Sequence, residues 1–310
     1  MELDTSKSIL QKIRFPFQED ESFCFEIKRD DLIDPVISGN KWRKLAYNLL
    51  QAKQTQKKGI LTFGGAYSNH LVATAKAAKI SGLSSIGIVR GEELTSESNP
   101  TLKACTEYGM QLIFIPRSEY RTICTSSSSL KDVAIRYSDY HIVPEGGKNY
   151  LGVVGCQHIL TETENDYDHV YLAGGTGTTG AGVLLSSPEK TIVHVVSALK
   201  GDFLKKEIQD LVYQAIFDEE ITDEFIKRLI VCDDAHFGGY GEVSKELIQF
   251  INEVYENIEL KLDPIYTGKA FFKMMEDVKS GRIKKSDKVL FLHTGGLQGA
   301  QSWKEILWVS

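Results

Sequence analysis

Apolar positions along the chain fall into short runs and helical stripes that alternate. Phe23, Phe25 and Ile27 alternate with polar neighbours and predict a strand ending at Lys28-Arg29-Asp30. From Trp42 the residues Trp42, Leu45, Ala46, Leu49 and Leu50 recur at helical spacing, so a helix begins there, with Gly39-Asn40 as the turn that starts it. Gly59 to Phe63 is an apolar run that closes in Gly64-Gly65, and a helix follows over about Ser68 to Ile80, stopped at Ser81-Gly82. Ser85 to Val89 and Gln111 to Ile115 read as strands, with a helix over Pro100 to Tyr108 between them.

His141-Ile-Val-Pro-Glu-Gly-Gly147 reads as a crossing point between two lobes. A helix over about Tyr150 to Leu160 leads to the strand His169 to Ala173 and a second glycine loop. Thr191 to Ser197 and Lys288 to Leu292 are further strands, with polar helices between. Strands alternating with helices at this interval imply βαβ units and parallel sheets. No repeat and no flexible linker is seen, and Ser126 to Ser129 is the sole low-complexity stretch. Two α/β lobes sharing one cleft is the simplest architecture.

Composition narrows the function classes. With 310 residues, 42% apolar and 25% charged, the chain has the make-up of a soluble globular protein with a sizeable core. A net charge of -6 argues against a nucleic-acid surface. Five widely spaced cysteines (Cys24, Cys105, Cys124, Cys156, Cys232) without a CxxC indicate neither a disulfide framework nor a zinc site. MELDTSKSILQKIRF lacks an apolar leader core and no stretch approaches membrane-spanning length, so a cytoplasmic protein with no membrane partner is expected.

The candidate chemistry begins at Lys41. At a helix N-terminus the dipole disfavours a cation and depresses the ammonium pKa, which makes a lysine a better nucleophile for an aldehyde. Gly174-Gly-Thr-Gly-Thr-Thr-Gly180 lies between a strand and a helix, so its amides and hydroxyls form a phosphate cradle. The same stretch contains a formal GxGxxG, which leaves a dinucleotide reading and a plain tight turn as alternatives. The next strand ends Val196-Ser-Ala-Leu-Lys200, without the acidic residue that a ribose requires. Gly64-Gly65-Ala-Tyr-Ser68-Asn69-His70 is a second such junction. Ser68 is either an ordinary N-cap or, with Asn69, the grip for a carboxylate or ring hydroxyl. Tyr240 and Tyr266 lie in glycine-flanked loops, and His293-Thr294-Gly295-Gly296 follows the last strong strand.

A nucleophilic lysine, one phosphate cradle and a carboxylate cradle together describe pyridoxal phosphate held by a lysine. The sequence resembles the D-cysteine desulfhydrase / 1-aminocyclopropane-1-carboxylate deaminase family. The matching segments are KRDD (Lys28 to Asp31), SGNKxRKL (Ser38 to Leu45), GGxxSNH (Gly64 to His70) and PEGG (Pro144 to Gly147). The GTGTT loop, DPxYTGK (Asp263 to Lys269) and HTGG (His293 to Gly296) complete the set, in family order. The resemblance implies a two-domain α/β fold of the tryptophan-synthase-β-like type II, each domain an open, mostly parallel sheet flanked by helices. Residues 1–48 and 148–310 would form the larger, cofactor-binding domain and 49–147 the smaller. A homodimer is also implied.

By that resemblance Lys41 carries the cofactor and abstracts the substrate's α-proton. Lys44 and Gly175, Thr176, Gly177, Thr178 and Thr179 would hold the phosphate, and Asn69 the phenolic oxygen. Ser68, Asn69 and His70 would grip the carboxylate of a small amino-acid substrate, with Tyr240, Tyr266 and Thr267 on the substrate side. Ser68 and the two tyrosines are also catalytic candidates. Thr294 would face the pyridine nitrogen, where a hydroxyl leaves that nitrogen largely neutral and suits expulsion of a β-leaving group.

Ring-opening deaminases of the family typically carry a glutamate after the DPxY tyrosine and a leucine before the late Gly-Gly. Here Thr267 and Thr294 stand there, the desulfhydrase-like pattern. The expectation is elimination from D-cysteine to a 2-oxo acid, with deamination of 1-aminocyclopropane-1-carboxylate as the alternative. The chain departs from familiar members in CDDAHFGGYG (Cys232 to Gly241), in Lys148 after PEGG, and in being shorter.

Overall fold

The computed structural model of the protein describes residues 5–18, 21–163, 165–239 and 241–308. The chain opens with the hairpin β1 (Leu10–Gln18) and β2 (Glu21–Lys28), followed by helix α1 (Gly39–Gln54). Next come β3 (Gly59–Gly64), α2 (Asn69–Ile80), β4 (Ser84–Arg90), α3 (Pro100–Glu107), β5 (Met110–Ile115), α4 (Arg117–Thr125), α5 (Ser127–Arg136) and β6 (Tyr140–Val143). These four strands make a parallel sheet in the order β5-β4-β3-β6.

Helix α6 (Tyr150–Thr161) leads back to the first sheet. It is followed by β7 (His169–Gly174), α7 (Thr178–Ser186), β8 (Ile192–Ser197), α8 (Phe203–Ile216), α9 (Glu219–Ile226), β9 (Leu229–Cys232), α10 (Lys245–Ile258), α11 (Thr267–Lys279) and β10 (Val289–Leu292). The six-stranded order is β1-β2-β10-β7-β8-β9, parallel throughout except for the β1–β2 hairpin at its edge.

Both sheets are covered on two faces, which is why their central strands are apolar at successive positions. Every residue of β3 and β10 is buried. On one side of the larger sheet Phe25, Tyr171 and Phe291 pack against Phe271 and Met274 of α11 and Ile251 of α10. On the other, Val170, Leu172, Val193 and Val195 pack against Val153, Val183, Leu204 and Ile208. Among the described residues no helix is long and apolar enough to cross a membrane, and all five cysteines are free.

Three local features differ from the sequence-based expectation. Helix α1 starts at Gly39 rather than Trp42, because its first turn is held from outside: the Asn40 amide donates to Thr294 O at 3.3 Å. Apolar periodicity reports only the face a helix buries and is blind to such an anchor. His141 to Gly147 holds a strand, β6, before its glycine turn. Residues 10–18, which carry alternating buried Ile13 and Phe15 among charges, form the antiparallel edge strand β1, with Pro16 at a register shift. The serine run at 126–129 divides α4 from α5, with Ser126 Oγ accepting from Ser129 N at 3.3 Å.

The KRDD motif is structural. Buried Lys28 donates to Ser8 O at 2.6 Å and Glu162 Oε2 at 3.0 Å. Buried Asp30 accepts from Arg43 of α1 at 2.9 and 3.1 Å, and Arg43 also meets Glu162. Burial opposes the guanidinium's charge, but the Glu162 and Asp30 carboxylates outweigh it and push its pKa up. This network fixes α1 to the larger sheet and so fixes what α1 carries.

Candidate active site

Loops after β3, β6, β7 and β10 all leave the carboxyl ends of their strands, where open α/β sheets bind ligands. They converge on the first turn of α1. Gly39 has φ +47°, and a Cβ there would stand 2.0 Å from Thr294 O, so only glycine lets the helix start against the β10 loop. Lys41 follows two residues later, half-buried as a residue but with its ammonium enclosed by protein. Its Nζ donates to Asn40 Oδ1 at 2.8 Å, while Asn40 Nδ2 donates to Thr179 Oγ1 at 3.0 Å. Burial, then the neighbouring Lys44 ammonium, lower the Lys41 pKa to about 7, against the opposing pull of the Asp263 carboxylate. A large fraction of this amine is therefore neutral, and nucleophilic, at pH 7.

Thr178, Thr179 and Gly177 open α7, with Gly177 left-handed at the N-cap (φ +77°). Thr176 and Thr178 place their hydroxyl oxygens 3.2 Å apart. Backbone amides of a helix start, three threonine hydroxyls and the helix dipole all favour an anion here. Lys44 closes the opposite side, buried and donating to Gly146 O at 3.1 Å, with its pKa lowered by burial. A Cβ at Gly146 would meet Thr176 Cγ2 at 2.5 Å, so the loop after β6 lies directly on the cradle. Lys148 is spent on an ion pair with Glu207 of α8.

Ser68 caps α2, its hydroxyl accepting from Leu71 N at 3.3 Å, which meets the ordinary N-cap reading. Asn69 is the first residue of α2 and reaches the β10 loop, its Nδ2 being 3.7 Å from a Cβ built at Gly299. His70 faces inward instead. Thr62 Oγ1 donates to Val143 O at 2.8 Å, so its single proton is used, and His70 Nε2, 2.9 Å from that oxygen, must be the donor. His70 Nδ1 is then a bare acceptor, buried without a partner among the described residues. Burial, then Lys44 and Lys41, push the His70 pKa down to about 3. Burial thus keeps this enclosed ring neutral.

The turn before α11 is organised by Asp263, which the sequence reading places at the head of the DPxYTGK motif without a role of its own. Its wholly buried carboxylate accepts from the amides of Ile265, Tyr266 and Thr267 at 3.0, 2.7 and 2.9 Å and from Thr267 Oγ1 at 2.6 Å. Thr267 is itself fully buried, and its hydroxyl also accepts from Asp263 N at 2.9 Å. That hydroxyl is therefore turned to Asp263. Tyr266 lies at the cradle, with Cε1 3.4 Å from a Cβ built at Gly175. Tyr240 lies outside the described residues. Asn40 was likewise missed as a contributor; its signal was its place immediately before the lysine.

Two other features do not compete with this site. A groove of about 470 Å³ lies on the back of α1, lined among others by Trp42, Tyr47, Leu50 and His158, away from the Lys41 ammonium. His194, Cys232 and Asp277 bring possible metal-ligand atoms within 4.8 Å of one another. The Asp277 carboxylate, however, already meets Arg282 at 2.6 Å, Lys273 at 3.5 Å and the Tyr171 hydroxyl at 2.8 Å. A metal cation would have to displace two resident cations.

A partly neutral lysine beside a single-anion cradle, and a second helix start with Ser68 and Asn69 across from it, is a donor set that fits pyridoxal phosphate. Residues 18–295 match the family model for pyridoxal-phosphate dependent enzymes. The mitochondrial bifunctional D-cysteine desulfhydrase/1-aminocyclopropane-1-carboxylate deaminase of Arabidopsis thaliana is 30% identical over 294 residues, covering 88% of this chain and 72% of that protein. A provisionally named 1-aminocyclopropane-1-carboxylate deaminase of Pyrococcus abyssi is 32% identical over 289 residues, covering 88% and 84%. The solved structure of an ACC deaminase homologue superposes with a TM-score of 0.76 at 27% identity, covering 91% of this chain and 87% of the other. The chain belongs to the pyridoxal-phosphate dependent enzymes of fold type II, with pyridoxal phosphate as its cofactor.

Proposed function

We propose that this enzyme deaminates a small amino acid by elimination, with D-cysteine as the leading substrate, giving pyruvate, sulfide and ammonia with uptake of one water. The observation that carries the reading is the Lys41 ammonium, held by Asn40 beside the Thr176–Thr179 cradle with its pKa lowered to about 7. Pyridoxal phosphate, when bound, supplies the electron sink for the substrate's α-carbon. Lys41 supplies the attachment point and then the base that takes the α-proton, a role suited to an amine titrating near the working pH. Gly175 to Thr179 and Lys44 would hold the phosphate, Ser68 and the first-turn amides of α2 would hold the substrate carboxylate, and Asn69 would bond the phenolic oxygen. Tyr266 lines the substrate side. Thr294 would offer the ring nitrogen a neutral side chain, which would favour departure of the thiolate.

A second reading is ring-opening deamination of 1-aminocyclopropane-1-carboxylate, favoured by the names of the relatives above. The cyclopropane substrate lacks an α-hydrogen, so it needs an acid–base group at the ring carbons. The Thr267 hydroxyl is occupied by Asp263, and this supports elimination as the first reading. Release of 2-oxo acid from D-cysteine, L-cysteine and 1-aminocyclopropane-1-carboxylate, measured in parallel, tests both. Release from D-cysteine alone is expected; release from the cyclopropane alone would replace the first reading by the second.

A further inference from the structure

Helix α11, which starts at the Tyr266 turn, holds a second segment through one of its faces. Lys269 is fully buried, and its Nζ donates to His236 O at 2.8 Å and Gly239 O at 2.9 Å. Three residues on, Phe272 packs edge-on against Phe237 with ring centroids 5.0 Å apart. One position further, Lys273 donates to Asp234 Oδ2 at 2.6 Å. Residues at this spacing share a helix face, so a single face of α11 grips the chain from Asp234 to Gly239.

Among the described residues that segment belongs to no helix or strand. Phe237, Gly238 and Gly239 all have positive φ (52°, 104° and 126°), and the local bonds among the described residues are the short-range Gly239 N to His236 O (3.1 Å), Gly238 N to His236 Nδ1 (3.0 Å) and Glu242 N to Gly239 O (3.2 Å). A buried ammonium is tolerated only when hydrogen-bonded. Among the described residues no carboxylate forms an ion pair with Lys269, and Asp263 and Glu242 act on it only at longer range. Its charge is answered by two loop carbonyls, so the loop's conformation and the lysine's burial each require the other. The same helix begins from the Asp263 turn that sets Tyr266 beside Gly175.

We propose that Lys269 is a positioning residue of the reaction, locking the His236–Gly239 turn at a fixed distance from the Tyr266 turn so that the substrate-side wall keeps its shape. This rests on the functional reading above, in which Tyr266 borders the substrate.

The test uses the full-length, cofactor-loaded protein and its K269M variant, which keeps an apolar stem of similar length. Hydrogen exchange over residues 232–239 should accelerate about tenfold or more, and KM should rise more than kcat falls, as expected when a positioning contact is lost. The visible absorbance of the lysine-bound cofactor should be unchanged. K269R, which keeps a cation and several donors, should recover part of the KM. Should K269M not fold, K269Q, with two N–H donors on a shorter stem, should show the same changes in smaller degree. Unaltered exchange and KM in a folded variant would overturn the proposal, as would loss of the cofactor's absorbance together with activity. If the wild-type protein turns over no amino acid, the functional reading fails and this inference falls with it; an active wild type with an unaffected variant removes this inference alone.

Discussion

The Asn40 carboxamide joins the reactive lysine to the anion cradle: its oxygen accepts from Lys41 Nζ at 2.8 Å and its nitrogen donates to Thr179 Oγ1 at 3.0 Å. Asn40→Asp puts a carboxylate against the ammonium, and an opposite charge this close raises a lysine pKa by about 1–3 units. Neutral amine is the form that attacks an aldehyde, so the rate at which the apo protein takes up pyridoxal phosphate should rise through pH 7 in the wild type. The variant's midpoint should lie at least about one unit higher. Coincident profiles would mean that Asn40 does not govern the lysine.

The lowered Lys41 pKa also sets a direction for stability. The group falls from 10.5 to about 7 on folding, so between those values the unfolded chain binds the extra proton and this lysine's contribution to stability rises with pH. Below about 7 both states are protonated and the cost of burying the charge is fully present. Urea midpoints of the apo protein should therefore increase from pH 7 to pH 9 by more in the wild type than in Lys41→Met. Parallel curves would contradict the assignment.

Gly39→Ala should be among the most damaging small substitutions in the chain. The added methyl would lie 2.0 Å from Thr294 O at a residue whose φ is +47°. Alanine at a positive φ alone costs more than about 1 kcal/mol, and the clash adds to it. Denaturant unfolding should show a loss above that figure together with weakened cofactor binding. A loss below about 0.5 kcal/mol, the range of an ordinary surface change, would mean that α1 is not anchored on the β10 loop.

Thr62→Val tests the tautomer of His70. If His70 Nε2 donates to Thr62 Oγ1, the variant leaves a buried N–H without an acceptor, at a cost of about 1–3 kcal/mol. Its slope with denaturant should match the wild type. A neutral result would mean that the bond between His70 Nε2 and Thr62 Oγ1 contributes nothing to the fold.

Much of the fold was legible because buried parallel strands must be apolar at successive positions and the helices between them carry a stripe. That is how β3, β7 and α2 are read within a residue or two of their bounds. Strand β1 was not, because at an edge only Ile13 and Phe15 of its described side chains are buried among charges. The site was legible where chemistry is local: Lys41 at its helix start and the glycine–threonine loop. It was illegible where the partner is distant in sequence. The partners of Asn40 are one and 139 residues away, and no local pattern reports the second. Asp263 and the inward turn of His70 are of the same kind, set by which backbone group a side chain meets after folding. Thr267 is similar, since its hydroxyl bonds the Asp263 carboxylate of its own turn.

The most direct measurement is Lys41→Ala assayed beside the wild type for visible cofactor absorbance and for 2-oxo acid release from D-cysteine. The variant should lose the absorbance of the lysine-bound cofactor and at least about 10²-fold of turnover, the smallest loss expected when a general base is removed. A variant that retains both would show that the chemistry resides elsewhere than at Lys41.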